Sequence, residues 1–177
     1  MNYNIYINSN DKISGKHNNA TFQINWDDIL PRNYKYFNVT FSFQTASGYY
    51  KDDVTNNRYY PNCEIICDFY TKTFSYDTTT KSNSITLGYC QRDIQPSTYK
   101  NTFSCSYTYN CPKIITRPVN NIITITIYNM VAVVSGSNTL LVDTTAATTP
   151  VLLTDMTAWT MIMCFTPVES SIISENM

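Results

Sequence analysis

Alternation with a period of two residues runs through this chain, and no other feature limits its fold so strongly. Over residues 34–43 one phase reads Lys35, Phe37, Val39, Phe41 and Phe43, and the other reads Tyr34, Tyr36, Asn38, Thr40 and Ser42. Successive side chains of a strand point to opposite faces, so this pattern writes a strand with one dry and one wet face. Residues 63–70 repeat it, with Cys63, Ile65, Cys67 and Phe69 against Glu64, Ile66, Asp68 and Tyr70. So do residues 102–109, where Phe103, Cys105, Tyr107 and Tyr109 oppose Thr102, Ser104, Ser106 and Thr108. In 159–166, Trp159, Met161, Met163 and Phe165 oppose Thr160, Ile162, Cys164 and Thr166.

The most apolar run is 121–134. Ile123, Ile125 and Ile127 share a face with Asn129, and a change of phase near Asn129-Met130 is expected to mark a bulge or bend. Shorter strands are expected at 3–7, 21–25, 74–76, 84–90 and 140–142. No window carries a helical period; Asp27-Asp28-Ile29-Leu30-Pro31 suits a single turn before a proline stop. Eight to ten strands at this spacing predict an all-β sandwich. The expected organisation is one domain over 1–177, with an extended segment at 1–20 and polar loops at 8–19, 48–62 and 91–101. A long loop or crossing segment is expected at 135–157, and a mobile or partner-docked tail at 168–177.

Composition narrows the function. Hydrophobic residues make up 43%, enough for a core, but charged residues only 14%, where a soluble chain usually has about a quarter. A surface of Asn, Thr, Ser and Tyr in place of charge repels its neighbours little and hydrogen-bonds readily, which suits burial in contacts. Net charge is −1, and no cluster of Lys and Arg provides the basic stripe that a nucleic-acid face needs. The first residues lack the apolar core of a signal peptide and no apolar stretch is long enough to span a membrane, so synthesis in the cytosol is expected. The six cysteines are then expected to be reduced, with Cys63, Cys67 and Cys105 buried as small hydrophobes.

Residues for chemistry are sparse. The single histidine, His17, lies in a polar loop, and no Gly-x-Ser-x-Gly elbow accompanies it. Cys63 and Cys67 on one strand stand about 13 Å apart, too far to share an ion. Cys105 and Cys111 would approach only if a turn forms at Asn110-Cys111-Pro112. The pairs Asp27-Asp28 and Asp52-Asp53 lack the alternating acidic spacing of a calcium loop. Two glycosylation sequons, Asn19-Ala20-Thr21 and Asn38-Val39-Thr40, are expected to go unused in a cytosolic chain. The expectation is no catalytic residue, no metal and no cofactor. Exposed tyrosines offer large contact area at little entropic cost; Tyr49, Tyr50, Tyr59 and Tyr60 in one polar loop are interface candidates, together with Tyr3, Ile5, Leu140 and Leu141.

Three segments carry a resemblance. The opening Tyr6-Ile7-Asn8-Ser9-Asn10-Asp11-Lys12-Ile13-Ser14-Gly15, followed by Thr21-Phe22-Gln23-Ile24, is the first. Arg117-Pro118-Val119-Asn120-Asn121-Ile122-Ile123-Thr124-Ile125 is the second, and Asp155-Met156-Thr157-Ala158-Trp159-Thr160-Met161-Ile162-Met163-Cys164-Phe165-Thr166-Pro167 the third. In this order the set resembles the single jelly-roll minor capsid and penton-like proteins of large DNA viruses and virophages. The resemblance implies a jelly roll of two facing antiparallel sheets of about four strands each. It implies a structural role in the virion, beside the major capsid protein and other minor capsid proteins, assembled in the host cytoplasm, with no catalytic residues. The cysteine content and the 135–157 segment depart from a plain penton pattern and leave penton and cement positions both open. The alternative is a lectin-like carbohydrate-binding or host-attachment jelly roll using the loop tyrosines. A cupin-like enzyme would need several histidines for its metal.

Overall fold

The computed structural model describes residues 1–48, 62–69, 75–77, 82–84, 86–94, 101–105, 113–130, 139–140 and 155–169. Among these the chain is all-β, with one short helix. The strands are β1 (Tyr3–Asn8), β2 (Ser14–Lys16), β3 (Asn19–Gln23), β4 (Tyr36–Thr45), β5 (Asn62–Cys67), β6 (Ser75–Asp77), β7 (Ser82–Ser84), β8 (Thr86–Ile94), β9 (Asn101–Cys105), β10 (Lys113–Thr116), β11 (Ile122–Met130), β12 (Thr139–Leu140) and β13 (Trp159–Val168). The helix α1 (Trp26–Ile29) is the single turn expected before Pro31.

All pairings are antiparallel, and eleven strands join in one sheet. Its connectivity resolves into two runs of four. One is β1-β13-β4-β10 and the other is β3-β11-β5-β8. β13 and β4 form the longest ladder, with Trp159 opposite Thr45 at one end and Val168 opposite Tyr36 at the other. On its far side β4 pairs first with β10 and then, at Phe43 and Gln44, with β9. β9 also pairs with β8 and so joins the two runs along one side. β2 extends β3, β12 caps the end of β11, and β6 and β7 form a separate hairpin.

The dry phases became the core. Phe37, Val39, Phe41 and Phe43 are buried, as are Cys63, Ile65, Cys67 and Phe69, then Ile123, Ile125 and Ile127, and Trp159, Met161, Met163 and Phe165. These side chains meet across the interior. Phe22 of β3 contacts Trp159 of β13 edge-to-face with ring centroids 5.7 Å apart, although the two strands do not pair. Phe165 receives Trp26 at 5.7 Å, Phe69 at 6.0 Å and Phe37 at 6.5 Å, all steeply inclined. Such edge-to-face contacts place a positive ring edge on a negative ring face.

Several local expectations are corrected. The strand expected at 34–43 begins and ends two residues later, leaving Lys35 exposed before it, its ammonium 5.5 Å from the Tyr36 ring. The 8–19 loop holds a 3-10 turn over Ser9–Asp11 and strand β2. β8 continues through Ile94 into the expected 91–101 loop. β11 and β5 stay in register to Met130 opposite Asn62, so no bulge occurs between these strands up to that point; the rest of the 121–134 run lies outside the described residues. The irregularity lies instead between Ile65 and Ile66, where β5 shifts against β8. β10 escaped notice because four residues framed by Pro112 and Pro118 are too short to display alternation.

Candidate interaction face

The wet phases of five neighbouring strands make one continuous outer surface. Tyr6 of β1 lies opposite Ile162 of β13, which lies opposite Ser42 of β4. The adjacent row runs Asn8, Thr160, Gln44, Ser104 and Gln91 across β1, β13, β4, β9 and β8. Tyr6 is 64% exposed, Tyr89 52% and Ile162 37%. Between them the surface folds inward into a cleft of about 740 Å³ lined by Tyr6, Gln44, Tyr89, Arg92, Asp93 and Ile162, with Cys105 at its wall. Small hydroxyls at Ser42 and Ser104 leave room for it, because larger outward side chains at those positions would fill the space.

The surface continues onto β5 and β11. Tyr89 is opposite Glu64, and Glu64 is opposite Tyr128. Glu64 is only 6% exposed, a carboxylate on the phase expected to be wet. This aromatic–carboxylate row was not legible in sequence, because it depends on which strands pair.

Two polar clusters fix the ends of the frame. In the first, Ser9 is fully buried and its Oγ accepts the Trp159 backbone N–H at 2.8 Å. The same Oγ lies 2.9 Å from His17 Nδ1, and the Trp159 indole N–H donates to the His17 carbonyl at 2.6 Å. Asp155 Oδ1 accepts the backbone N–H groups of Asn18 at 3.2 Å and Met156 at 2.8 Å. The arrangement that satisfies each donor has the Ser9 hydroxyl donating to a neutral His17 Nδ1. Burial, and then the nearby Lys12 charge, push His17 below its ordinary pKa, with Asp155 opposing. A serine, a histidine and an aspartate are thus close together, but the hydroxyl is enclosed and already hydrogen-bonded, where a nucleophile needs an open approach.

In the second cluster Arg117 reaches over α1. Its guanidinium donates to the Leu30 carbonyl at 3.0 Å and to Asp27 Oδ1 at 2.6 Å, and Arg32 holds the other Asp27 oxygen at 2.6 Å. These two bonds hold the Asp27 carboxyl below its usual range. Asp27 is therefore an anchor for the α1 turn.

Of the interface candidates, Tyr3 is half-buried on β1 opposite Phe165, packed against the core. Ile5 is a correction: it is 9% exposed and belongs to the chain's own core, because its phase of β1 faces inward. Leu140 lies on β12, opposite Tyr128. Tyr49, Tyr50, Tyr59, Tyr60, Leu141, Asp52, Asp53 and Cys111 lie outside the described residues. The structure brings forward Tyr6, Tyr89 and Ile162 in their place; their wet-phase positions were the signal. Among the described residues no three of His, Cys, Asp and Glu are grouped to hold a metal ion, and no helix is long and apolar enough to cross a membrane. No protein-family model matches the sequence, and no curated protein matches it.

Proposed function

We propose that the chain is a jelly roll and acts as a structural, non-catalytic component of an icosahedral viral capsid, of minor capsid or penton type. The pairing order carries this reading. Eight strands pair as β1 with β13, β3 with β11, β4 with β10 and β5 with β8. Those are the rungs of one long antiparallel ribbon closed at β5–β8. Rolling that ribbon brings β13 beside β4 and β11 beside β5, and both neighbours are present. The runs β1-β13-β4-β10 and β3-β11-β5-β8 then make two facing sheets, and the Phe22–Trp159 contact spans the gap between them. Jelly rolls are frequent among capsid proteins and lectins, and fold alone does not choose between them.

The capsid choice is supported by the resemblance of the three segments, by the low charge of the chain, and by an outer face that exposes Tyr6, Tyr89 and Ile162. Its partners would be the major capsid protein and other minor capsid proteins, its place the virion, and its site of assembly the host cytoplasm. Peptide mass spectrometry of purified virus particles from the source tests this: the chain should be present at a fixed ratio to the main shell protein. Its absence from particles in cells that make it would contradict the reading.

A second reading, a carbohydrate-binding or host-attachment module, is favoured by the cleft, where Tyr6 and Tyr89 flank Gln44, Arg92 and Asp93. Aromatic faces with amide and charged groups suit a sugar. A glycan array at high protein concentration should give no hit if the capsid reading holds.

A further inference from the structure

Cys63, Cys90 and Cys105 occupy one row across three consecutive strands. Cys63 of β5 lies opposite Cys90 of β8. The β8–β9 register, Gln91 opposite Ser104, carried one residue further, sets Cys90 against Cys105. Cys63 and Cys90 are fully buried, while Cys105 is half-buried and reaches the wall of the cleft. The Cys90 and Cys105 Sγ atoms are 2.9 Å apart, closer than two sulfurs rest without bonding.

We propose that Cys90 and Cys105 are an oxidation site that closes into a cross-strand disulfide by exchange with a small disulfide, such as oxidised glutathione, entering through the cleft. The backbone permits it. Directly opposed antiparallel residues hold their Cα atoms about 4.5–5.5 Å apart, inside the roughly 4.4–6.8 Å that a disulfide spans. Access decides the order of events. Cys105 loses its proton, and its thiolate attacks one sulfur of the small disulfide. A mixed disulfide forms at Cys105, and the displaced thiolate leaves and takes up a proton. The Cys90 thiolate then attacks Cys105 Sγ, forming the Cys90–Cys105 bond and expelling the second small thiol. Two protein thiols are oxidised and one small disulfide is reduced to two thiols. Burial, and next the hydrogen bond that the Cys90 thiol donates to Cys105 Sγ, raise the Cys90 thiol well above its ordinary pKa, so the second step is slow at neutral pH and faster in alkali. Cys63 also neighbours Cys90, but it is sealed from the cleft.

Because β9 joins the two strand runs, the bond would lock that seam. The inference stands whether or not the chain belongs to a capsid. The test is peptide mapping of the full chain after oxidised glutathione, digested without reduction, beside a dithiothreitol-treated sample. A linked peptide pair holding Cys90 and Cys105 is expected, with a melting temperature roughly 5–10 °C above the reduced chain. Cys105→Ala should abolish the link and Cys164→Ala should retain it. Both thiols remaining alkylatable, or a link from Cys63 to Cys90 or from Cys105 to Cys111, would overturn the proposal; mapping of the unsubstituted chain decides this even if a variant fails to fold.

Discussion

Ser9 is separated from Trp159 by 150 positions in the chain, yet its one oxygen receives the Trp159 backbone N–H and also meets His17. Replacing it with alanine leaves a buried donor without its acceptor, so Ser9→Ala should cost about 1–3 kcal/mol in chemical denaturation. His17 gives this contact a pH dependence. Its folded pKa lies below the unfolded value near 6.5, so protonation favours the unfolded chain. The stability it contributes is complete above that value and is lost as pH falls through the lowered folded value. Melting temperature should therefore drop between pH 7.5 and pH 5, and His17→Gln should flatten the difference. Gly15 is a second fixed point. It adopts φ +85°, and a Cβ there would run into the Asn19 carbonyl of the β2–β3 hairpin. Gly15→Ala should destabilise by about 2 kcal/mol or more in the same assay. The loop position of His17 was legible in sequence, but its partners were not, because Ser9 and Trp159 come together only through the β1–β13 pairing.

The long alternating runs were the most legible: the dry residues Phe37 to Phe43 of β4, Cys63 to Cys67 of β5, Ile123 to Ile127 of β11 and Trp159 to Phe165 of β13 are all buried, and β9 covers 101–105 of the strand expected at 102–109, whose remainder lies outside the described residues. Of the short elements, β1, β3, β6 and β12 fall on or beside the stretches expected at 3–7, 21–25, 74–76 and 140–142, whereas β2 and β10 declare themselves only through their neighbours' edges. The three segments that carry the family resemblance turn out to hold one another. Thr21 of the first pairs with Thr124 of the second, and Phe22 of the first packs on Trp159 of the third; Trp26, just beyond the first segment, donates its indole N–H to the Asn120 carbonyl at 2.8 Å. Arg117 adds a charged clamp on α1, with a side chain only 14% exposed, whereas Arg32 on the same carboxylate is 76% exposed. An exposed ion pair contributes little, and a partly buried guanidinium bonded to a carbonyl contributes more. Arg117→Met should therefore destabilise by roughly 1–3 kcal/mol, and Arg32→Met by well under 1 kcal/mol. Equal effects in denaturant titrations would refute the assignment of Arg117 as the clamp.

At the scale of the molecule, alternation predicts that strands exist and which face is dry, but it is silent on which strand lies beside which. The two runs of four, and the seam made by β9, depend on long-range pairings that no local pattern encodes. The same holds for the outer face: Tyr6, Ile162, Ser42 and Gln44 become neighbours only once β1, β13 and β4 are side by side. That face exposes Tyr6 and Tyr89 beside Arg92 and Asp93 of the cleft, and exposed tyrosine suits contact with a partner. We propose that this chain is a building block whose work is contact with other subunits. Native mass spectrometry of the purified chain, alone and mixed with the structural proteins made beside it, is the decisive test. A stable pentamer, or a monomer that joins a larger shell protein in a defined complex, is the predicted result, the first fitting a vertex and the second a cement position; a monomer that stays a monomer in every mixture would contradict it.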